Sequence, residues 1–365
     1  MNRAVLFAEV PHFYASVERA DGPSQETRPL IVGGDPRRRG SVQAAGPEAL
    51  AAGVRVGMPM LEALRLCPRA RSVRTDMTRY REVSRRLFAC LRRCFDRLEP
   101  FGLGAAYLDV TGDPETPEVI AERLREGVRD QLGLPLRVGI ASGKFPARLA
   151  AEELEELQGE GADSQGGGVR LIPPGREQAF LHPLPASRLE GVGQKTAARL
   201  AELGASSIGD VVALGRERLQ EVFGMHGLRI YDCASGVDEA PVRAARHPQS
   251  LSREATVGGE PCDLAALGEG LQDIARHLEA ELRLQGLTAG KVSLKLRFAD
   301  QATTTRSRTL NSPTSSAAEI QEVAARLLDR TQAGSRPVRG LGIQLAKLAP
   351  AAERPAQLDL FPPRR

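Results

Sequence analysis

Apolar positions along this chain recur with a period of either two or about 3.6, and the switches between the two mark out its elements. Residues 4–10 (Ala-Val-Leu-Phe-Ala-Glu-Val) read as a buried strand, followed by a short helix over 13–19. A second strand over 29–34 closes in a Gly-Gly-Asp-Pro turn, and 44–66 read as a helix broken by Gly53, Gly57 and Pro59. Over 77–97, Val83, Leu87, Leu91 and Cys94 line one face of a long helix, with Arg81, Arg85, Arg92 and Arg93 largely off it. A strand over 106–111, a helix over 117–132 and a strand over 136–141 running into a further helix complete an interleaved α/β core.

A Gly- and Gln-rich stretch over 158–168 interrupts the pattern. Residues 183–236 read as short helices joined at Gly turns, and 237–250 as an extended polar tether. A second α/β unit follows: helix 264–284, strands 291–298 and 303–310, helix 317–329 and strand 338–348. After Pro350 a Pro- and Ala-rich tail is expected to be disordered. The fold class is therefore multi-domain, α/β or α+β.

Composition adds limits. A chain of 365 residues accommodates two or three domains, and 41% hydrophobic residues supports packed cores and excludes a disordered protein. Arginine greatly outnumbers lysine, a bias that reports base composition more often than function. A net charge of +4 permits a polyanionic partner without requiring one. Cys67, Cys90, Cys94, Cys233 and Cys262 are scattered with no zinc-site spacing and read as reduced, buried thiols. No secretion signal opens the sequence and no run approaches the length of a membrane span, so a soluble, cytoplasmic protein is expected.

The clearest chemical signal is Leu189-Glu-Gly-Val-Gly-Gln-Lys-Thr196, the pattern of a helix-hairpin-helix. Gly191 and Gly193 lead into a helix whose bare N–H groups can face a phosphate, and Lys195 and Thr196 add charge and a hydroxyl there. Such a contact reads the nucleic-acid backbone and not its sequence. Gly224-Met-His-Gly227 reads as a degenerate second hairpin.

In this order the segments resemble a known family. Phe13-Tyr-Ala-Ser-Val-Glu18, Ile31-Val-Gly-Gly-Asp-Pro36, Gly53-Val-Arg-Val-Gly-Met-Pro-Met60, Tyr80-Arg-Glu-Val-Ser84, Tyr107-Leu-Asp-Val-Thr-Gly112 and Gly139-Ile-Ala-Ser142 with Lys144 are similar to segments of the Y-family (DinB/UmuC-type) translesion DNA polymerases. The resemblance implies a right hand: palm over 1–18 and 79–165, fingers over 19–78, helix-hairpin-helix thumb over 170–236 and little finger over 245–349. A tail over 350–365 completes it.

Polymerases of that family hold two Mg²⁺ ions on three palm carboxylates, which activate the primer hydroxyl and align the triphosphate. Here the matching positions carry Glu9 and Pro11 on the first strand, and Gly104 and Ala105 where the palm hairpin has Asp and Glu. Glu9 is the one residual candidate ligand. Asp109 lies too far along its strand to substitute, by roughly 3–7 Å for a displacement of one or two residues. The nucleotide-binding positions are degenerate as well: Pro47 and Leu50 replace the fingers' Tyr and Arg, His12 precedes the Phe13–Tyr14 pair, and an acidic run over 152–156 replaces a Lys-Pro. That run reads as a solvated helix face hostile to a triphosphate. Tyr14, at the steric-gate position, reads as core packing.

Other parts of the resemblance persist. Lys291, Lys295 and Arg297 alternate on one strand of the little finger, and Arg306 and Arg308 follow hydroxyl residues on the next, as a track for DNA phosphates. Gln357-Leu358-Asp-Leu360-Phe361 is similar to the bacterial sliding-clamp-binding pentapeptide, two apolar anchors and a polar orienting group. The combination implies a polymerase-like protein, similar to ImuB-type mutasome proteins, that binds damaged primer–template DNA and the clamp as a non-catalytic adaptor in translesion synthesis. It would need no cofactor, and another DNA polymerase is a candidate partner. The rival expectations are an active, diverged polymerase dependent on Mg²⁺ and a passive occupant of the clamp.

Overall fold

The computed structural model describes residues 3–20, 28–38, 40–95, 97–156, 167–243, 248–257 and 264–351. The chain separates into two compact units, divided between Ala245 and Arg246.

The first unit opens with β1 (Val5–Glu9) and α1 (Phe13–Ala20), then β2 (Leu30–Gly33), β3 (Val42–Ala45), α2 (Pro47–Ala51), α3 (Met60–Leu66) and β4 (Arg71–Arg74). The stretch expected to be a broken helix from residue 44 thus begins as a strand, because Val42 and Ala44 pair with β2 and bury their side chains. The strands β2, β3 and β4 form a small sheet of order β3-β2-β4. Next comes α4 (Met77–Arg92), started by the Asp76 carboxylate, which accepts from the Thr78 and Arg79 N–H groups at 3.1 and 3.0 Å. It ends before Cys94, which is exposed and not on the helix's apolar face; the expectation of a buried thiol fails there. Cys262 lies outside the described residues.

β5 (Leu98–Phe101), β6 (Ala105–Asp109), α5 (Pro117–Leu132), β7 (Arg137–Ala141), α6 (Lys144–Glu156) and β8 (Gly168–Leu171) follow. The main sheet has the order β5-β6-β1-β7-β8 and is antiparallel except for β7 and β8, which α6 joins as a parallel crossover. Because side chains alternate along a strand, Leu6, Ala8, Ala106 and Leu108 point to one face, where they pack with Leu87 and Leu91 of α4 and Ile120 and Leu124 of α5. Val5, Phe7, Ala105 and Tyr107 point to the other, against Ala147, Ala150 and Ala151 of α6.

Five short helices make up the rest of this unit: α7 (Glu177–Leu181), α8 (Gln194–Glu202), α9 (Ile208–Leu214), α10 (Arg216–Phe223) and α11 (Met225–Ala234). They enclose a core of Leu181, Leu200, Ile208, Val211, Leu219 and Ile230. The segment that follows is no free tether. Asp238 caps α6 by accepting from the Phe145 N–H at 2.8 Å, its carbonyl accepts from Arg3, and the Arg243 N–H donates to Glu99 at 2.7 Å.

The second unit comprises β9 (Ser250–Thr256), α12 (Leu264–Gln285), β10 (Leu287–Phe298), β11 (Thr303–Thr314), α13 (Ala317–Leu328) and β12 (Val338–Pro350). Its antiparallel sheet, of order β11-β10-β12-β9, packs one face on the two helices through Val292, Leu294, Leu296, Leu341, Ile343 and Leu345. Among the described residues, no helix of this unit packs on the other face.

Candidate active site and nucleic-acid interface

In the first unit the register places Ala105, Glu9 and Arg137 side by side across β6, β1 and β7, so the three side chains share a face. Glu9 is the single acidic residue of this row, and it faces a cation. The Arg137 guanidinium lies 3.9 Å from Glu9 Oε1, with the Arg137 side chain only 5% exposed and that of Glu9 23%. Sequence reasoning missed Arg137, since only the cross-strand register shows that it opposes Glu9.

The space beside Gly104 is filled by an aromatic ring. A Cβ built on Gly104 would stand 2.7 Å from Cγ and Cδ2 of Phe13, closer than real contacts allow. Gly104 keeps its backbone role, its carbonyl accepting from the Val10 N–H at 2.8 Å. Pro11 is buried in the turn after β1. His12 turns the chain into α1 with a left-handed φ of 46°, and its carbonyl accepts from the Ala15 and Ser16 N–H groups. Asp109 is four residues from Ala105, opposite Val5 at the far end of β1, so it lies ~13 Å along the sheet; that exceeds the displacement expected from sequence. Its carboxylate accepts from the Thr111 N–H at 3.0 Å. Among the described residues no group of three His, Cys, Asp or Glu could hold a metal ion.

Nearby cations are engaged too. Lys144 pairs with Glu99 at 2.5 Å and lies 5.4 Å from the Tyr107 ring centroid. Burial, above all, pushes the Tyr107 phenol well above its ordinary pKa, so it stays neutral. Arg148 sits 3.7 Å from Glu152, Arg188 3.2 Å from Glu152 and Arg170 3.0 Å from Glu153. The start of the acidic run is therefore neutralised by arginines and is not a solvated face. Tyr14 stacks on Tyr80 with centroids 4.5 Å apart at 15°, and Tyr80 donates to the buried Glu18 at 2.9 Å. In the smaller sheet's surroundings, Pro47 is the first residue of α2, and the Leu50 carbonyl accepts from Arg55 at 2.8 Å.

Gly191 has a φ of 81° and Gly193 caps α8 with no side-chain bond to its N–H groups. Gly193, Gln194 and Lys195 are exposed and Thr196 is half-buried at the same helix start. The segment expected as a degenerate second hairpin joins α10 to α11 at Gly224, and a Cβ on Gly227 would meet the Leu219 carbonyl at 1.9 Å.

On the sheet face opposite the two helices of the second unit, Lys291, Lys295 and Arg297 of β10 stand in register with Thr309, Thr305 and Thr303 of β11. Arg306 and Arg308 do not join them. They pair with Leu294 and Val292, so they belong to the helix-bearing face at the sheet's edge, and the expected five-cation track reduces to three. Two of these three meet an unforeseen acid. Glu254 of β9 lies 2.8 Å from Lys295 and 3.8 Å from Arg297, reaching over β12 at Gly342, where a Cβ would stand 2.6 Å from Glu254 Cγ. The clamp-motif residues Gln357, Leu358, Leu360 and Phe361 lie outside the described residues. No described helix is long and apolar enough to cross a membrane.

Comparison with known proteins agrees with this architecture. The impB/mucB/samB family matches residues 9–152 and the impB/mucB/samB family C-terminal domain matches 248–360. The chain is 35% identical over 362 residues to a protein named DNA polymerase IV from Halorhodospira halophila, covering 98% of both chains. It is equally similar, 35% over 363 residues, to one of the same name from Alkalilimnicola ehrlichii, covering 98% of this chain and 99% of that one. Among solved structures, a Y-family DNA polymerase chimera of Dbh and Dpo4 superposes with a TM-score of 0.83 at 24% identity, covering 95% of this chain and 99% of that chain. DinB from Sulfolobus solfataricus superposes with a TM-score of 0.64 at 24% identity, covering 94% and 98%. With two family matches in chain order and relatives aligned over nearly their whole length, the chain belongs to the impB/mucB/samB family, the Y-family of DNA polymerases.

Proposed function

We propose that this protein binds primer–template DNA on a Y-family scaffold without joining nucleotides, and acts as an adaptor in damage tolerance. The observation that carries the reading is Arg137 against Glu9. Two Mg²⁺ ions require several hard oxygen donors converging on one place. Here the row Ala105–Glu9–Arg137 offers one carboxylate, which faces a buried guanidinium, and the neighbouring position at Gly104 is filled by Phe13. These residues do not fit the metal pair. The main sheet would serve as palm, the β2–β4 segment as fingers, the hairpin helices as thumb and the second unit as little finger. Gly191, Gly193, Lys195 and Thr196 would hold DNA phosphates, with Lys291, Lys295 and Arg297 on the outer sheet face. Solved relatives include an insertion ternary complex of Dbh DNA polymerase, superposing with a TM-score of 0.69.

A second reading is favoured by the curated relatives, which are named DNA polymerase IV: an active polymerase using Glu9 and Mg²⁺. Primer extension with Mg²⁺ or Mn²⁺ decides between them. The adaptor reading expects no incorporation above background. Incorporation that Glu9→Ala abolishes establishes the enzyme.

Gln357-Leu-Asp-Leu-Phe361 supports recruitment by a sliding clamp, through Leu360 and Phe361 as anchors. Deleting residues 357–361 is expected to abolish clamp binding and leave DNA affinity unchanged. A replicative-type polymerase co-purifying with the clamp-bound protein supports the adaptor over a passive clamp occupant.

A further inference from the structure

The charge of this chain is concentrated in one place. Residues 65–93 contain ten arginines, no lysine and two carboxylates, Asp76 and Glu82, a local charge of +8 in a chain of net +4. The remaining residues are therefore net acidic. A base-composition bias would spread arginine along the chain, and a merely solvated helix face interleaves both signs. Neither describes this segment.

The structure turns much of this charge outward along α4. Tyr80, Ser84, Leu87 and Leu91 face the core, while Arg81, Arg85, Arg92 and Arg93 are exposed. Arg81, Arg85 and Arg92 form one row whose ends are eleven residues apart, ~16 Å at the helical rise. Arg86 and Arg93 form a second row, flanking a groove of about 310 Å³ floored by Ala89 and Leu132. Among the described residues no ion pair engages Arg81, Arg86, Arg92 or Arg93, and Arg85 has only the exposed Glu82 at 2.6 Å. This face cannot belong to the site at Glu9. α4 packs on the sheet side lined by Leu6, Ala106 and Leu108, whereas Ala105 and Tyr107, and with them the row through Glu9, lie on the other.

We infer that the outer face of α4 is a second nucleic-acid-binding surface that takes the phosphate backbone of a single strand while the hairpin helices hold duplex. Guanidinium groups suit phosphate through their planar pair of donors. Several in line along one helix make a backbone track that needs no base readout. A single strand fits better than duplex, because a flexible backbone can follow one helix face, and the row lacks the glycine-rich turns with which the hairpin meets rigid duplex.

The test uses the full chain, a single-stranded oligothymidylate and a blunt hairpin duplex, each titrated from about 50 to about 200 mM salt. Every single-strand phosphate that the protein ceases to neutralise lowers the slope of log K against log salt by ~0.7. The variant R81Q/R85Q/R92Q is therefore expected to lower that slope by about 2 for oligothymidylate. Over that salt range its affinity should fall about 20-fold less than the wild type's. Duplex affinity should stay within about twofold, and circular dichroism should report an unchanged fold. Lys195→Ala should do the reverse, weakening duplex and sparing oligothymidylate. An unchanged oligothymidylate slope overturns the inference. So does an equal loss of duplex affinity, which would merge the two surfaces, or displacement by polyglutamate at matched charge, which would make the partner an acidic protein. Nucleotide incorporation by the wild type would overturn the adaptor reading and leave this result standing.

Discussion

Glu9→Gln distinguishes a structural counterion from a metal ligand by the sign of its effect on stability. In a cluster of metal-binding carboxylates, neutralising one relieves like-charge repulsion, so the metal-free protein melts higher or at the same temperature. Here the neighbour is a guanidinium 3.9 Å away whose side chain is 5% exposed. Breaking a fully buried pair costs ~3–5 kcal/mol and an exposed one ~0–1 kcal/mol. With Arg137 buried, Glu9 about a quarter exposed and the separation long, the loss should be ~1–2 kcal/mol. At roughly 2–4 °C per kcal/mol for a unit of this size, Tm should fall by about 2–8 °C. Thermal unfolding followed by circular dichroism, in chelator and in millimolar Mg²⁺, provides the measurement. The expected outcome is the same fall in both, with the loss in E9Q/R137Q smaller than the sum of the two single losses because the two groups are coupled. A Tm that rises in Glu9→Gln, or a Mg²⁺-dependent stabilisation of the wild type that Glu9→Gln removes, would refute the structural role.

Placing an acid at Gly104, between β5 and β6, should fail for steric reasons. Gly104→Asp places its Cβ 2.7 Å from the Phe13 ring and should cost ~1–3 kcal/mol in a chemical denaturation curve, with part of the loss recovered when Phe13→Ala is added. Lys195→Ala should weaken binding to duplexes of unrelated sequence alike and reduce the salt slope by ~1, measured by fluorescence anisotropy. Asp210 supplies an acid-limb test. Hydrogen bonds from the backbone and side chain of Ser207, and then from Ser206, hold its carboxyl down at about 2. A depressed folded-state pKa stabilises above the unfolded value of ~3.9, and that contribution is lost as pH falls through the folded one. Wild type should therefore melt above Asp210→Asn at neutral pH, the gap closing between about pH 4 and about pH 2; a gap constant over that window counts against the capping role.

Long periodic elements are legible from residue pattern alone. The helix over 117–132 is found as Pro117–Leu132, with Thr116 accepting from the Val119 N–H and Gly133 at a φ of 65°, because cap, proline and glycine all agree. The helices near 264–284 and 317–329 and the strands near 338–348 and 291–298 follow their apolar spacing, the strands running longer than expected. The short strands Arg71–Arg74, Leu98–Phe101 and Gly168–Leu171 carry no such signal, since four residues at a sheet edge show little alternation. What the sequence could not reveal is cross-strand. Arg137 meets Glu9, and Glu254 meets Lys295, only through register, and neither pair has any local signature. Nearness in sequence groups Arg306 and Arg308 with the β10 cations, although their parity against Leu294 and Val292 assigns them to the opposite face. The non-acidic residues Pro11, Gly104 and Ala105 are visible directly in the sequence, but Phe13 filling the place beside Gly104 is not.

The most direct test is to count metal ions. Crystals of the full chain with primer–template DNA, an incoming nucleotide and Mn²⁺ would be measured for anomalous scattering around Glu9. The expected result is no pair of ions there, with the Arg137 guanidinium still against the Glu9 carboxylate. Two manganese peaks ~3.5–4 Å apart, bridged by Glu9 and the triphosphate, would contradict it.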